Sequence, residues 1–401
     1  MSKIDKIDEL LSRGVEKIYP SAELLKKRML EKKPLKLYCG YDPSASSLHI
    51  GNAISINKLS QFQKLGHEVI FLVGDFTGMI GDPTDKKATR KKLSREEVLN
   101  NSRDYKEQAS CFLDFAGDNP AKILYNSEWN DKLSFKDLIE LSSNFTVQQM
   151  IQRDMFQERL KEEEPIYLHE FFYPLVQGYD SVAMDVDLEI GGNDQMFNMM
   201  RGRDLQKIIN KKEKFVVTLK LLEDSDGKKM GKSEGNAVFL NQNNNEMFGK
   251  VMSWPDTVII NAFELCTQVE MEKIKEMKDN LSGDKVNPRD LKMDLAYEIV
   301  KIFHNEELAN EAKNYFIDTF QKKEIPTDIP EFKFSVKEMS LVELLLEVKL
   351  ATSKGEARRL IEQGGVKIDG QVITDTSLII DLTKDSTLQK GKRYFVKVRY
   401  E

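Results

Sequence analysis

The sequence predicts an α/β protein: a parallel-sheet domain first, an α-helical domain second and a small α+β module last. Three observations predict it. An apolar run ending at Leu37-Tyr-Cys39 and a second at Glu68-Val-Ile-Phe-Leu-Val-Gly74 flank a stretch of helical period carrying Ile54, Ile56, Leu59, Phe62 and Leu65. A strand–helix–strand unit this short implies a parallel pair with a right-handed crossover. From about 245 to 320 the apolar residues recur at helical spacing, as in Leu291-Lys-Met-Asp-Leu-Ala-Tyr-Glu-Ile-Val. Beyond Pro326 and Pro330, two helix patterns precede Gly364-Gly365 and a hairpin signal at Asp369-Gly370.

Composition narrows the classes. The chain has 401 residues, 60 Lys+Arg against 66 Asp+Glu, and a net charge of −6. That balance excludes a wholly basic nucleic-acid binder but leaves room for a local basic patch. Cys39, Cys111 and Cys266 are scattered with no C-x-x-C spacing, against a disulfide scaffold or zinc ribbon and in favour of a reducing cytoplasm. Met1 to Leu11 reads as the start of an amphipathic helix rather than a leader peptide, and no apolar run approaches the roughly 20 residues of a membrane span.

Leu37 to Asn52 organises the rest. Gly40 permits a tight turn after the strand, Ser46 or Ser47 is suited to cap the helix, and Gly66 ends it. A strand feeding a helix N-terminus is an anion site, because unpaired N–H groups and the helix dipole face the ligand. His49 and Asn52 share the first turn. The second strand runs into a glycine-rich loop ending at Asp82, followed by Lys86, Lys87, Arg90, Lys91 and Lys92, a solvated loop or an arm that screens phosphate charge.

Residues from about 95 to 165 read as mostly helical, with a strand at 121–125 and a capping signal at Ser94-Arg-Glu-Glu97. Phe145 to Ile151 is either an internal packing face or a partner surface. Tyr173, Gln177 and Asp180 then recur four and three residues apart among apolar neighbours. Such a stripe lines something polar or satisfies itself internally. The strand 186–190, Gly191-Gly192 and Asn193 repeat the opening geometry, and two such turns would bracket a nucleotide at the carboxyl ends of parallel strands.

After a strand at 215–220 comes a flexible segment containing Lys228, Lys229, Gly231, Lys232 and Ser233. A Walker A reading fails, because Asp226 stands where the motif needs glycine and no long helix follows Ser233. A glycine-hinged loop presenting lysines remains. The expected boundaries are 1–235 for the sheet domain with its helical insertion, 236–322 for the helical domain, 323–337 for a linker and 338–401 for the last module. That module is the basic end of an acidic chain, and Lys354, Arg358 and Arg359 on its second helix suit phosphate contacts unless they are simply a solvated face.

In combination these motifs resemble the class I aminoacyl-tRNA synthetases, in particular the bacterial tyrosyl type. Leu48-His-Ile-Gly-Asn52 resembles the His-Ile-Gly-His signature, and Lys229-Met-Gly-Lys-Ser233 the mobile Lys-Met-Ser-Lys-Ser loop. Tyr38 with Tyr173, Gln177 and Asp180 resembles the tyrosine pocket, Gly191-Gly-Asn-Asp-Gln195 the second ribose and substrate turn, and the last module an S4 RNA-binding domain. Asn52 and Gly231 depart from the family pattern. Asparagine still donates hydrogen bonds but has no protonated ring, and glycine adds hinge freedom.

The resemblance implies a Rossmann-like catalytic domain that activates L-tyrosine with ATP and transfers tyrosyl to tRNA(Tyr). The attacking carboxylate, with a pKa of about 3.5, is already ionised, so catalysis is positioning and charge stabilisation rather than proton abstraction. It implies catalytic roles for His49, Asn52, Lys229, Lys232 and Ser233, with Lys86 and Arg90 as further candidates at the departing pyrophosphate. ATP contacts would come from Cys39, Gly40, Asp42, His49, Gly51, Asn52, Gly192, Asp194, Lys229 and Lys232. Tyr38 and Asp180 would read the phenol, with Asp82, Tyr173, Gln177 and Gln195 around the ammonium. A site built to bond a hydroxyl rejects phenylalanine, and tyrosyl enzymes are themselves the standard illustration of that rule. Magnesium would travel with ATP, with no protein metal site and no permanent cofactor. A homodimer and a cytoplasmic location are implied likewise. A tryptophan substrate fits the two phenol-directed groups less well, and intact His49, Lys229, Lys232 and Asp180 argue against an RNA binder that has lost catalysis.

Overall fold

The computed structural model describes residues 2–83, 93–231, 236–320, 329–391 and 394–400. These group into two compact units, one of residues 1–243 and 250–305, the other of 244–249 and 306–401.

The first unit is built on a sheet of β1 (Val15–Tyr19), β2 (Lys36–Tyr41), β3 (Glu68–Val73), β4 (Lys122–Tyr125), β5 (Leu188–Gly192) and β6 (Phe215–Leu219), in the order β1-β6-β5-β2-β3-β4. β2, β3, β4, β5 and β6 run parallel and β1 is antiparallel to β6. The chain goes outward from β2 through β3 to β4, then returns to place β5 on the other side of β2. That reversal makes the β2/β5 boundary the switch point of a doubly wound sheet, and the crevice beyond the carboxyl ends of these strands is where such sheets bind ligands. β3 is buried from Val69 to Val73, as expected of a strand covered on both faces. β1 and its pairing with β6 were not expected from the sequence, because Val15-Glu-Lys-Ile-Tyr carries too much charge to read as a sheet strand.

The helix after β2 runs Ile50–Lys64, and Gly66, with φ +86°, turns the chain back as expected. Its cap is a correction: His49, not Ser46 or Ser47, occupies the N-cap. The cause is an extended detour. Leu48 and Ile50 exchange backbone hydrogen bonds with Leu240 and Val238, so the chain stays extended until His49.

The helices Tyr173–Ala183 and Met196–Ile209 pack at two glycines: a Cβ on Gly178 would lie 3.1 Å from the Gly202 amide nitrogen. The helices from Ile259 to Phe303 belong to this same unit.

In the second unit, the helices Leu341–Glu347 and Lys354–Glu362 pack with strands around a core that includes Leu344, Leu345, Ile361, Leu388 and Val398. Val366–Ile368 and Gln371–Ile373 form the expected hairpin, with positive φ at Asp369 and Gly370. Glu331–Phe334, inside the stretch expected to be a linker, is a strand parallel to Tyr394–Tyr400. Its alternate residues Phe332 and Phe334 pack on the core, a period of two obscured by the neighbouring prolines.

Candidate active site

β2 and the helix after it supply one wall of the crevice. Tyr38 is buried, and its hydroxyl lies 2.9 Å from Ser181 Oγ. Cys39 follows it, with its thiol pushed up to about 11 by burial, and Gly40 is exposed on the strand. Beyond β2, Asp42 accepts hydrogen bonds from Thr77 Oγ1 at 2.6 Å and from the Tyr173 hydroxyl at 2.7 Å. His49 Nδ1 accepts from the Gly51 amide at 3.1 Å, and Asn52 Oδ1 accepts from the His49 amide at 3.0 Å. Asn52 thus closes a capping box at the third helical position, a job for which its carbonyl is enough. With Nδ1 accepting, the neutral His49 ring carries its proton on Nε2.

The helix Tyr173–Ala183 supplies the other wall, with Tyr173, Gln177 and Asp180 at the expected spacing. Asp180 is almost wholly buried and takes three N–H donors: Trp129 Nε1 at 2.7 Å and Asn130 Nδ2 at 3.1 Å on Oδ1, and Asn126 Nδ2 at 3.2 Å on Oδ2. Burial nonetheless pushes its carboxyl up to about 8, because those bonds only partly offset desolvation. Gln177 Nε2 donates to Glu189 Oε1 at 3.2 Å, and its own carbonyl oxygen is buried with no hydrogen-bond partner among the described residues. An unpaired buried acceptor on a crevice wall is a place for a ligand donor such as an ammonium.

The second turn completes the set. Gly192 ends β5, and Asp194 and Gln195 lie on the short 3-10 helix that follows. Gln195 Nε2 donates to Asp82 Oδ2 at 2.6 Å, which brings the end of the glycine-rich loop to this turn. Lys229 Nζ donates to Asp194 Oδ2 at 2.7 Å. Lys232, Ser233, Lys86, Lys87, Arg90, Lys91 and Lys92 lie outside the described residues. In the second unit, Lys354, Arg358 and Arg359 are exposed on one helix, with Lys354 3.6 Å from Glu343.

Several contributors were not foreseen. Trp129 and Asn130 come from the short helix Ser127–Asn130, and Asn126 from its N-cap, a four-residue pattern that carries no sequence signal. Arg153, 6% exposed, stacks between the rings of Phe156 and Phe197 and lies 4.0 Å from Asp82. Ser181, Glu189 and Lys214 form a buried polar cluster under Tyr38. Three residue types spread over 34 positions cannot be linked without the fold.

A family model described as tRNA synthetases class I (W and Y) matches residues 30–321, and one described as the Tyrosine--tRNA ligase SYY-like C-terminal domain matches residues 321–398. The Tyrosine--tRNA ligase of Carboxydothermus hydrogenoformans is 46% identical, covering 98% of this chain and 97% of its own. That of Haemophilus influenzae is 46% identical over 100% of this chain and 98% of its own. Among solved structures, a truncated mitochondrial tyrosyl-tRNA synthetase of Aspergillus nidulans has a TM-score of 0.65 at 20% identity, covering 79% of this chain and 94% of that one. The Archaeoglobus fulgidus enzyme complexed with L-tyrosine has a TM-score of 0.59 at 20% identity over 78% of this chain and 100% of its own. At that identity the structural likeness speaks for the fold alone.

Proposed function

The chain belongs to the class I tRNA synthetases of the tryptophan and tyrosine group, and from that premise we propose how its crevice works. The activity is that of a tyrosine–tRNA ligase: L-tyrosine and ATP give tyrosyl-adenylate and pyrophosphate, and tyrosyl then passes to tRNA(Tyr). The observation that carries the site assignment is Asp180, a buried carboxyl gathered by three N–H donors on the same helix stripe as Tyr173 and Gln177.

Tyrosine enters with its ring between the strands' carboxyl ends and the Tyr173–Ala183 helix. Its phenol meets Tyr38 and Asp180, and its ammonium meets Gln177 and the Asp82–Gln195 pair. Tyr173, tied to Asp42, borders the same space. The carboxylate then lies at the N-terminus of the 50–64 helix, where ATP phosphates find N–H groups and a positive dipole end. His49 Nε2–H and Asn52 serve the phosphates or ribose, with Cys39, Gly40, Asp42 and Gly51 lining the approach. Gly192 and Asp194 receive the ATP ribose. Lys229, with Lys232 and Ser233, neutralises the departing pyrophosphate, and magnesium arrives on ATP. The tyrosine carboxylate needs no base, so the rate rests on alignment and on charge placed where the α-phosphate and leaving group develop it.

Lys354, Arg358 and Arg359 contact the tRNA backbone. The enzyme works as a homodimer in the cytoplasm. Phe135 and Ile139, one turn apart on the Phe135–Ser142 helix, are 79% and 53% exposed, an apolar surface that a second copy would cover. Among the described residues no helix is long and apolar enough to cross a membrane. Tyrosine-dependent exchange of pyrophosphate into ATP tests the activity. Exchange with tyrosine and not phenylalanine is expected; none with tyrosine, or equal exchange with both, overturns it.

A further inference from the structure

The six residues 43–48, between β2 and the helix that follows it, lie in neither a strand nor a helix. Their backbone groups therefore need partners from elsewhere. Three side chains spaced four and three residues apart supply them, from the helices Arg95–Ser102 and Tyr105–Ala109. Asn101 Nδ2 donates to the Pro43 carbonyl at 2.9 Å, and the buried Tyr105 donates its hydroxyl to the Ala45 carbonyl at 2.7 Å. Gln108 works in both directions. Its Nε2 donates to the Ser46 carbonyl at 3.3 Å, and its Oε1 accepts from the Leu48 amide at 2.7 Å and from Ser47 Oγ at 3.2 Å.

The bond to Leu48 bears on where the next helix begins. A capping oxygen accepts from the second or third helical amide, so a cap at Ser46 would need the Leu48 or His49 N–H and a cap at Ser47 the His49 or Ile50 N–H. All three are engaged: Leu48 with Gln108 Oε1, His49 with Asn52 Oδ1 at 3.0 Å, and Ile50 with the Val238 carbonyl at 2.9 Å. His49 thus keeps an extended backbone, with φ −122° and ψ 170°, and its Nδ1 accepts from the Gly51 amide. A helix begun at either serine would take His49 into its first turn and its ring off that amide. Of the three acceptors, Asn52 belongs to the helix itself and Val238 offers only backbone. Gln108 is the side chain brought from a distant element.

We propose that Gln108 is a positioning residue for tyrosine activation: by holding the Leu48 amide it fixes the start of the 50–64 helix at His49, and so the place where that imidazole and helix end meet ATP. Asn101 and Tyr105 steady the loop behind it. The Gln108 carboxamide is committed to the loop, so it acts on ATP only through His49 and the helix start. Its loss falls on the nucleotide and not on tyrosine, whose pocket is built on β2 and the Tyr173–Ala183 helix. A misplacement of about 1 Å at a reacting group is enough to slow a reaction that rests on alignment. The inference rests on the tyrosine-ligase reading and extends it to a residue that no motif of the chain marks.

The test is pyrophosphate exchange by the full chain with ATP varied at saturating L-tyrosine, beside equilibrium binding of L-tyrosine without ATP. Gln108→Met keeps the volume of the side chain and removes its hydrogen bonds. It should lower kcat/KM for ATP about tenfold and leave tyrosine affinity within about twofold. Gln108→Glu keeps the acceptor for Leu48 and loses the longer bond to Ser46, so it should stay within about threefold of wild type. In a His49→Ala background, Gln108→Met should lower kcat/KM for ATP less than about twofold further, since its route is gone. If Gln108→Met fails to fold, Tyr105→Phe removes a single hydroxyl from the same bracket and should lower kcat/KM for ATP about threefold with tyrosine affinity unchanged. Tyrosine affinity that falls with the ATP constant marks a merely structural role. That result, a Gln108→Glu variant as slow as Gln108→Met, or full additivity with His49→Ala, overturns the positioning role while the activity stands. Wild-type protein that ignores tyrosine overturns the activity and the positioning role with it.

Discussion

Lys229 Nζ lies 2.7 Å from Asp194 Oδ2, joining the lysine loop to the turn after β5. The two residues are separated by 35 positions and belong to different motifs, so their contact is a product of the fold. The lysine is nearly half exposed, and an exposed pair of this kind holds by about 1 kcal/mol or less. On the proposed roles, ATP bringing a ribose to Asp194 and phosphates to Lys229 would replace it at little cost. Lys229→Ala should slow adenylation about 10- to 100-fold in single-turnover measurements while tyrosine affinity stays within about twofold. A large loss of tyrosine affinity would misassign the lysine.

Trp129 donates the shortest bond to Asp180. Trp129→Phe keeps the ring packing and removes the donor, which leaves burial less opposed and makes the carboxyl a poorer acceptor. The tyrosine KM should rise about three- to tenfold with little change in the ATP KM. Steady-state kinetics at fixed pH checks it, and an equal rise in both constants would point to general damage.

The raised carboxyl of Asp180 also fixes the sign of a pH effect on stability. Its folded value of about 8 exceeds the unfolded value of about 3.9, so between them the folded chain holds a proton that the unfolded chain releases. The stability it contributes is whole below about pH 4 and lost as pH rises through about 8. The difference in unfolding free energy between wild type and Asp180→Asn, followed from pH 5 to 9, should move against the wild type as pH rises. A flat difference would contradict the raised carboxyl.

Charging one apolar surface tests the proposed dimer. Phe135→Glu with Ile139→Lys should give a monomer by sedimentation at micromolar concentration, without lowering the unfolding temperature of the exposed helix's own unit by more than a few degrees. A dimer that persists would place the interface elsewhere.

The strands β2, β3, β5 and β6 and the helix stripe of Tyr173, Gln177 and Asp180 were legible because apolar runs and residue spacing report local structure directly. His49 at the cap was not, since the delay from Ser46 comes from Val238 and Leu240 pairing across the chain. The donors on Asp180 and the Lys214–Ser181–Tyr38 chain were equally hidden. Asn, Trp, Ser and Lys acquire those roles only when β4, β5 and β6 are brought into one sheet, and no periodicity marks them.

On the proposed reading the phenol is held between Tyr38 and Asp180. A crystal structure of the full chain with L-tyrosine tests it most directly. The phenolic oxygen is expected within about 3 Å of both the Tyr38 hydroxyl and an Asp180 carboxylate oxygen, with the ammonium at Gln177. A tyrosine bound with its ring reversed, or outside the crevice between β2 and the Tyr173–Ala183 helix, would contradict it.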